Sequence, residues 1–327
     1  MGLSIFSTHP LHPEVTRALS DIGPYRVASA PETGAILSES EGANVIVVRA
    51  PIAEDVIQQR PGLRALVRHG AGLDMIPMDV ATGAGVLVAN VPGANAVTVA
   101  EHVIWSALAL LRRFPQVNAD LRTQGWPAGR AHSDGGREIS GRTLGIVGMG
   151  NVGQTLAQMA SAGFGMQVLC HTRSPGRVPA GVTSVSLNEL LETADIIALC
   201  CPLTDATRGL IDAEALARMR PWAVLINVAR GPVVVEDALI GALRSGHLGG
   251  AALDVFDAQP LPTDHPLTTL PNVVLTPHMA GITEESMLRM GQGVVAAIRS
   301  LDAGALPDTL VNPEALPLYR ERFGLPG

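Results

Sequence analysis

Short apolar runs separated by mixed segments recur along the chain. Leu3 to Phe6, Asn44 to Val48, Arg64 to Val67 and Val86 to Ala89 fall within the first 95 residues, with helical stretches between them. That alternation predicts a small α/β unit with a parallel sheet. A second series comprises Leu144 to Val147, Met166 to Cys170, a short strand near Val182, Ile196 to Cys200, Ala223 to Asn227 and Ala251 to Val255, with Asn272 to Leu275 as a seventh. Six parallel strands make a complete dinucleotide-binding sheet. Between the two series, Asn90-Val91-Pro92-Gly93 breaks the chain. Ala94 to Arg113 then reads as one long helix, buried on most sides because polar positions such as Glu101 and His102 are few. Gly125 to Gly136 reads as irregular and exposed, Glu284 to Leu301 as helical, and the Pro-rich 302–327 as packing back on the first unit.

The middle of the chain carries the strongest chemical signal. The run Leu144 to Val147 ends in Gly148-Met149-Gly150-Asn151-Val152-Gly153, and a helical stretch follows. In that strand–turn–helix order the first glycine permits the turn and the second lets backbone approach a pyrophosphate. The third lets helix and strand pack closely, and the helix N-terminus turns its N–H groups to the phosphates. The tip of the next strand selects the cofactor, since an acidic residue there binds a ribose 2′-hydroxyl and an arginine accommodates a 2′-phosphate. Here it reads Cys170-His171-Thr172-Arg173-Ser174, with Thr172 at the acidic position. NADP is therefore the expected preference, with NAD also possible.

Composition narrows the chemistry further. The 327 residues allow two domains, and 47% of them are apolar. The net charge of −7 offers no basic nucleic-acid surface. Every basic residue is arginine, so Schiff-base, pyridoxal-phosphate and P-loop lysine chemistry are excluded. The N-terminus lacks the pattern of a signal peptide, and Val103 to Leu111 is too short to span a bilayer. Cys170, Cys200 and Cys201 lack metal or disulfide spacing, which fits a reduced cytoplasm. No metal site is expected: His9-Pro10-Leu11-His12 reads as a surface loop. His69-Gly70-Ala71-Gly72-Leu73-Asp74 makes a second glycine turn, without the helix a nucleotide site needs. Its N–H groups suit a small anion such as a carboxylate, though an ordinary strand-end turn has the same sequence.

Further strand ends carry Cys201-Pro202-Leu203-Thr204, Asn227-Val228-Ala229-Arg230-Gly231, Asp254-Val255-Phe256 and Thr276-Pro277-His278-Met279-Ala280-Gly281. With the glycine turn and Val99-Ala100-Glu101-His102, these motifs occur in the order found in the D-isomer-specific 2-hydroxyacid dehydrogenases, a family the chain resembles nearly end to end in its glyoxylate/hydroxypyruvate reductase-like branch. The resemblance implies two flavodoxin/Rossmann-like domains with a cleft between them, residues 1–95 plus 288–327 forming the substrate domain and 96–287 the dinucleotide-binding domain. Arg230 matches the substrate-binding arginine, His278 the acid/base, and Ala71 and Gly72 the loop holding the substrate carboxylate. Asp254 matches the residue near the nicotinamide carboxamide. The remaining cofactor contacts so implied are Gly148, Gly150, Asn151, Val152, Gly153, Thr172, Arg173, Ser174, Cys201, Pro202, Thr207, Val228, Ala229 and Gly281. A homodimer paired through the region of residues 94–113 is also implied. Chemically, one arginine can hold a carboxylate and polarise a carbonyl while a histidine supplies the proton.

One position departs from the family. The glutamate usual before the proline after Asp-Val-Phe is Gln259 here. Gln259 can orient His278 but supplies no charge, so carbonyl reduction is expected to weaken at a lower pH than in glutamate-bearing relatives. Asp257 is a possible substitute. Formate dehydrogenases, distant relatives, use a Gln–His pair, which makes formate oxidation an alternative. A nucleotide-sensing corepressor is another, opposed by the presence of both Arg230 and His278. His102, His132, His247 and His265 read as ordinary structural histidines, and His69 as a candidate substrate contact.

Overall fold

The computed structural model describes residues 2–324; Met1 and the final residues 325–327 of the Pro-rich tail lie outside the described residues. The chain divides into two compact units, Met1–Asn95 with Ile282–Gly327, and Ala96–Gly281. The return to the first unit thus falls at 282, against 288 from the sequence. The cause is local: Thr283 and Ser286 form a reciprocal capping box that starts helix Glu284–Asp302, so the helix enters as one rod.

In the first unit, β1 (Ile5–Ser7), β2 (Tyr25–Val27), β3 (Val45–Val48), β4 (Ala65–Arg68) and β5 (Leu87–Ala89) form a parallel sheet in the order β2-β1-β3-β4-β5. Each residue of β3 is buried, as expected of a central strand covered on both faces. The sequence gives no sign of β2, because Tyr25-Arg26-Val27 is a half-exposed edge with no apolar run. The described residues after 302 do pack within this unit. The Val311 N–H donates to the Val88 carbonyl at 2.7 Å, the buried Asn312 amide brackets Val86 and Val88, and Tyr319 is fully buried.

The second unit is built on seven parallel strands, β6 (Thr143–Val147), β7 (Gln167–His171), β8 (Val182–Ser184), β9 (Ile196–Leu199), β10 (Val224–Asn227), β11 (Gly250–Leu253) and β12 (Val273–Leu275). Their order is β12-β11-β10-β9-β6-β7-β8. The chain winds outward from β6 through β8, then restarts at β9 on the other side of β6. Ligands of such sheets bind beyond the carboxyl ends of the strands at that reversal. Helix Ala96–Leu111 buries Ala100, Val103, Ala107 and Leu110 in the same core cluster as Leu156 and Ala160 of helix Asn151–Phe164. The segment after it is more regular than its glycines and prolines suggest. Helices Phe114–Gln124 and Trp126–Arg130 meet at Gly125, whose φ of 85° suits glycine alone. No helix among the described residues is long and apolar enough to cross a membrane.

Candidate active site at the carboxyl edge of the seven-stranded sheet

The glycine turn lies at the reversal point. Gly148 has φ 101°, and a Cβ on it would sit 2.7 Å from the Cys201 nitrogen, so β6 and the loop after β9 touch through backbone. A Cβ on Gly153 would lie 2.2 Å from the Gly148 carbonyl oxygen, which brings the helix hard against the turn. Gly150 differs: a Cβ there would meet nothing within 4 Å. It caps helix Asn151–Phe164, whose first-turn N–H groups, those of Asn151 and Val152 among them, have no acceptor within the helix. Tight packing on two sides with open space at the middle glycine is the cradle a pyrophosphate needs.

The flanking loops are stiffened from within. Beyond β7, the Thr172 hydroxyl accepts from the Ser174 N–H at 3.1 Å, leaving Arg173 and Ser174 exposed at the strand tip. Arg173 acts on the Cys201 thiol, which burial nonetheless pushes up. After β9, the buried Thr207 hydroxyl donates to the Pro202 carbonyl at 2.7 Å and accepts from the Thr204 N–H at 2.8 Å. Thr207 thereby closes the loop that carries Pro202.

Arg230, Gln259 and His278 lie on the loops after β10, β11 and β12 at the other half of the edge, and the last two are in contact. Asn227 ends β10 as a buried polar residue whose side chain accepts from the Ala229 N–H and donates to the Arg230 carbonyl, both at 3.0 Å. That bracket sets the turn from which the half-buried Arg230 emerges, its guanidinium donating to the Ala229 carbonyl at 2.6 Å. Gly231 then presses on the loop after β11: a Cβ on it would lie 2.1 Å from the Phe256 carbonyl carbon. The Phe256 carbonyl in turn accepts from the Gln259 side-chain nitrogen at 3.3 Å, which fixes the orientation of that amide. Gln259 Oε1 is left facing His278 Nδ1 at 3.1 Å, a contact that selects the tautomer with the hydrogen on Nδ1. The backbone that follows Arg230 thus abuts the loop whose Gln259 meets His278. Asp257 is not the imidazole's partner: its charged neighbours are Arg208 and Asp237, and burial raises its carboxyl.

His278 itself has φ 54°, a left-handed backbone that costs a residue of this type roughly 1–2 kcal/mol. Asp254, just past β11 and 3% exposed, bonds to the surrounding turn four times. Its carbonyl accepts from the His278 N–H at 2.8 Å, and its carboxylate accepts from the Thr276 hydroxyl, the Met279 N–H and the Ala280 N–H at 2.6, 2.8 and 2.9 Å. His102 stands behind, Nε2 at 3.4 Å from the Thr276 hydroxyl. Burial lowers its pKa, with Asp254 opposing. Val228 and Gly281 flank these turns, half-buried. The sequence singled out neither Asn227 nor Thr276 individually. Their signal was present, since Asn227 is the polar residue ending a buried apolar strand and Thr276 the polar residue directly after a partly buried one.

The loop after β4 in the first unit is organised by Arg68. Its guanidinium donates to the carbonyls of Val48, His69 and Gly72 at 2.8–3.0 Å. The Gly70 carbonyl accepts from the Val91 N–H and that of Ala71 from the Asn90 amide, both at 2.9 Å. In a trans peptide the N–H opposes the preceding carbonyl, so the N–H groups of Ala71 and Gly72 point away from residues 90–91. His69 is 3% exposed, and burial, reinforced by Arg49 and Arg68, pushes its pKa down to about 4. The other histidines have structural partners: His132 with Asp120 at 2.7 Å, His265 with Glu236 at 3.0 Å, and His247 with the Leu216 carbonyl at 3.1 Å. His12 caps helix Pro13–Ser20. Among the described residues no cluster of His, Cys, Asp or Glu has the arrangement of a metal site.

Comparison with known proteins places these features in context. Residues 104–280 match the family described as D-isomer specific 2-hydroxyacid dehydrogenase, NAD binding domain. A glyoxylate reductase of Aeropyrum pernix is 35% identical over 331 residues, which cover 98% of this chain and 98% of the relative. A D-3-phosphoglycerate dehydrogenase of Methanocaldococcus jannaschii is 36% identical over 328 residues; the match takes in 98% of this chain but only 61% of the relative's length. Among solved structures, an NADPH-dependent glyoxylate/hydroxypyruvate reductase from Sinorhizobium meliloti superposes with a TM-score of 0.83 at 28% identity, covering 96% of this chain and 98% of that one.

Proposed function

The chain belongs to the D-isomer-specific 2-hydroxyacid dehydrogenase family, and from that premise we propose that it is a nicotinamide-dependent reductase of small 2-oxo acids such as glyoxylate or hydroxypyruvate. The observation that carries the reading is the 3.1 Å contact of Gln259 with His278, on a loop that the backbone after Arg230 abuts at Phe256. Arg230 holds the substrate carboxylate in its planar fork and polarises the adjoining carbonyl. The Ala71 and Gly72 N–H groups serve as further carboxylate donors. His278, positioned through Nδ1, delivers a proton from Nε2 to the carbonyl oxygen and takes it back in the reverse direction. The reduced nicotinamide, when bound, supplies the hydride to the carbonyl carbon. The residues to hold that cofactor are Gly148, Gly150, Asn151, Val152 and Gly153 at the pyrophosphate, with Thr172, Arg173 and Ser174 at the ribose. Cys201, Pro202, Thr207, Val228, Ala229, Asp254 and Gly281 line the remainder.

NADP is the preferred cofactor in this account, because an exposed guanidinium and hydroxyl occupy the strand tip where an acidic side chain would repel a 2′-phosphate. A steady-state screen of 2-oxo acids with NADPH and NADH tests both parts. Turnover of glyoxylate or hydroxypyruvate is expected, faster with NADPH, and Arg173→Ala should erase that preference. A clear NADH preference in the parent refutes the assignment. The Gln259–His278 pair also favours a second reading, formate oxidation, which turnover of formate with the oxidised cofactor would reveal.

A homodimer is the proposed assembly. Trp105, Phe114 and Trp126 are 47%, 52% and 73% exposed, and an apolar cavity of about 340 Å³ lies among Phe114, Val117, Leu121 and Trp126. A partner would cover this exposed apolar surface. Trp126→Asp should convert the dimer to a monomer in sedimentation velocity. The cytoplasm is the proposed compartment, in keeping with three free thiols.

A further inference from the structure

The geometry points to Asp254 as a positioning residue that clamps His278 in its left-handed turn, a role beyond contact with the cofactor and one that rests on the reductase reading for its catalytic consequence. The turn at 276–280 follows a three-residue strand at the sheet edge. Non-glycine residues keep a positive φ only where their surroundings over-determine it. Here one side chain supplies three of the bonds that hold the turn. Carboxylate Oδ1 accepts from the Thr276 hydroxyl at 2.6 Å and the Met279 N–H at 2.8 Å, while Oδ2 accepts from the Ala280 N–H at 2.9 Å. The donors lie on both sides of His278, two residues before it and one and two residues after. The backbone of the same residue receives the His278 N–H at 2.8 Å. Asp254 is in turn fixed to β10, its N–H donating to the Asn227 carbonyl at 3.1 Å. Asn227 also brackets Arg230, so one buried pair of strand ends sets both functional side chains.

Asparagine at 254 keeps the shape but turns one oxygen into a donor. If its oxygen stays with Thr276 and Met279, its NH2 faces the Ala280 N–H and that bond is lost. The test combines Asp254→Asn and the milder Thr276→Val with two readouts. The first is amide hydrogen exchange of residues 278–280 in the protein without substrate, expected to accelerate at least about tenfold in Asp254→Asn and less in Thr276→Val. The second is turnover of glyoxylate. Asp254→Asn should lower kcat on the order of 10- to 100-fold, by more than it raises the KM for cofactor, and adding it to His278→Ala should bring no further loss of kcat. Unchanged exchange in both variants overturns the clamp. A raised cofactor KM with unchanged kcat, or losses that multiply in the double variant, assigns Asp254 to cofactor contact and overturns its action through His278. If the parent turns over no 2-oxo acid while exchange still accelerates, the clamp stands as structure and the reductase reading is what fails.

Discussion

Two histidine-bearing turns, one at the carboxyl edge of each sheet, are built to opposite ends. After β4, His69 is buried, its pKa driven down to about 4 by desolvation and by Arg49 and Arg68 against weaker backbone hydrogen bonds at His69 and Met287. After β12, His278 is exposed, held at φ 54° and met at Nδ1 by Gln259. The first turn has folding free energy invested in keeping an imidazole neutral and dry. The second tolerates backbone strain to keep one accessible and aimed. Position after a strand therefore does not distinguish the two histidines; exposure, backbone conformation and the partner at Nδ1 do.

The comparison breaks first at the level of activity. His278→Ala should reduce turnover roughly 10²- to 10⁴-fold with little change in the urea midpoint, whereas His69→Gln should alter kcat far less. Equal losses in the two variants would erase the distinction. Stability gives the next effect. A histidine whose folded pKa lies below its unfolded value stabilises the fold above about pH 6.5 and loses that contribution as pH falls toward 4. For His69 the change amounts to roughly 3 kcal/mol. Urea denaturation at pH 7 and pH 4.5 should show a smaller pH-dependent loss in His69→Gln than in the parent. Gly231→Ala should cost about 1–3 kcal/mol, since backbone at Phe256 cannot yield to a Cβ 2.1 Å away, and should impair turnover by parting Arg230 from the Gln259 loop. The finest effect is at Gln259→Glu. A carboxylate beside the imidazole favours its charged form, so the pH above which reduction declines should move up by roughly one unit or more. An unmoved pH–rate profile would show that the partner's charge is immaterial.

Much of this was legible in the sequence because parallel strands covered on both faces read as unbroken apolar runs, as Val45–Val48 and Ile196–Leu199 do. The glycine turn was legible for a related reason: close backbone approach leaves glycine little alternative at Gly148 and Gly153. Edge strand β2 was hidden because half-exposed strands need no apolar run. Helix Trp126–Arg130 was hidden because proline in a first helical turn and glycine at a junction resemble a loop on paper. The clamp around His278 lay beyond the sequence for a different reason. It depends on the register of β11 against β12, which brings Asp254 to Thr276, Met279 and Ala280 across more than twenty positions. The clasp of Arg68 on three carbonyls is likewise set by the fold, since any strand-end arginine has the same letter.

The central claim is that His278, with Arg230 holding the carboxylate, moves the proton in reduction of a 2-oxo acid. The most direct measurement is oxidation of NADPH by glyoxylate, followed by absorbance for the parent and for His278→Ala at equal concentrations of folded protein. The account predicts steady turnover in the parent and a loss of at least about a hundredfold in the variant. Equal rates in the two proteins, or none in the parent with any small 2-oxo acid and either reduced cofactor, would contradict it.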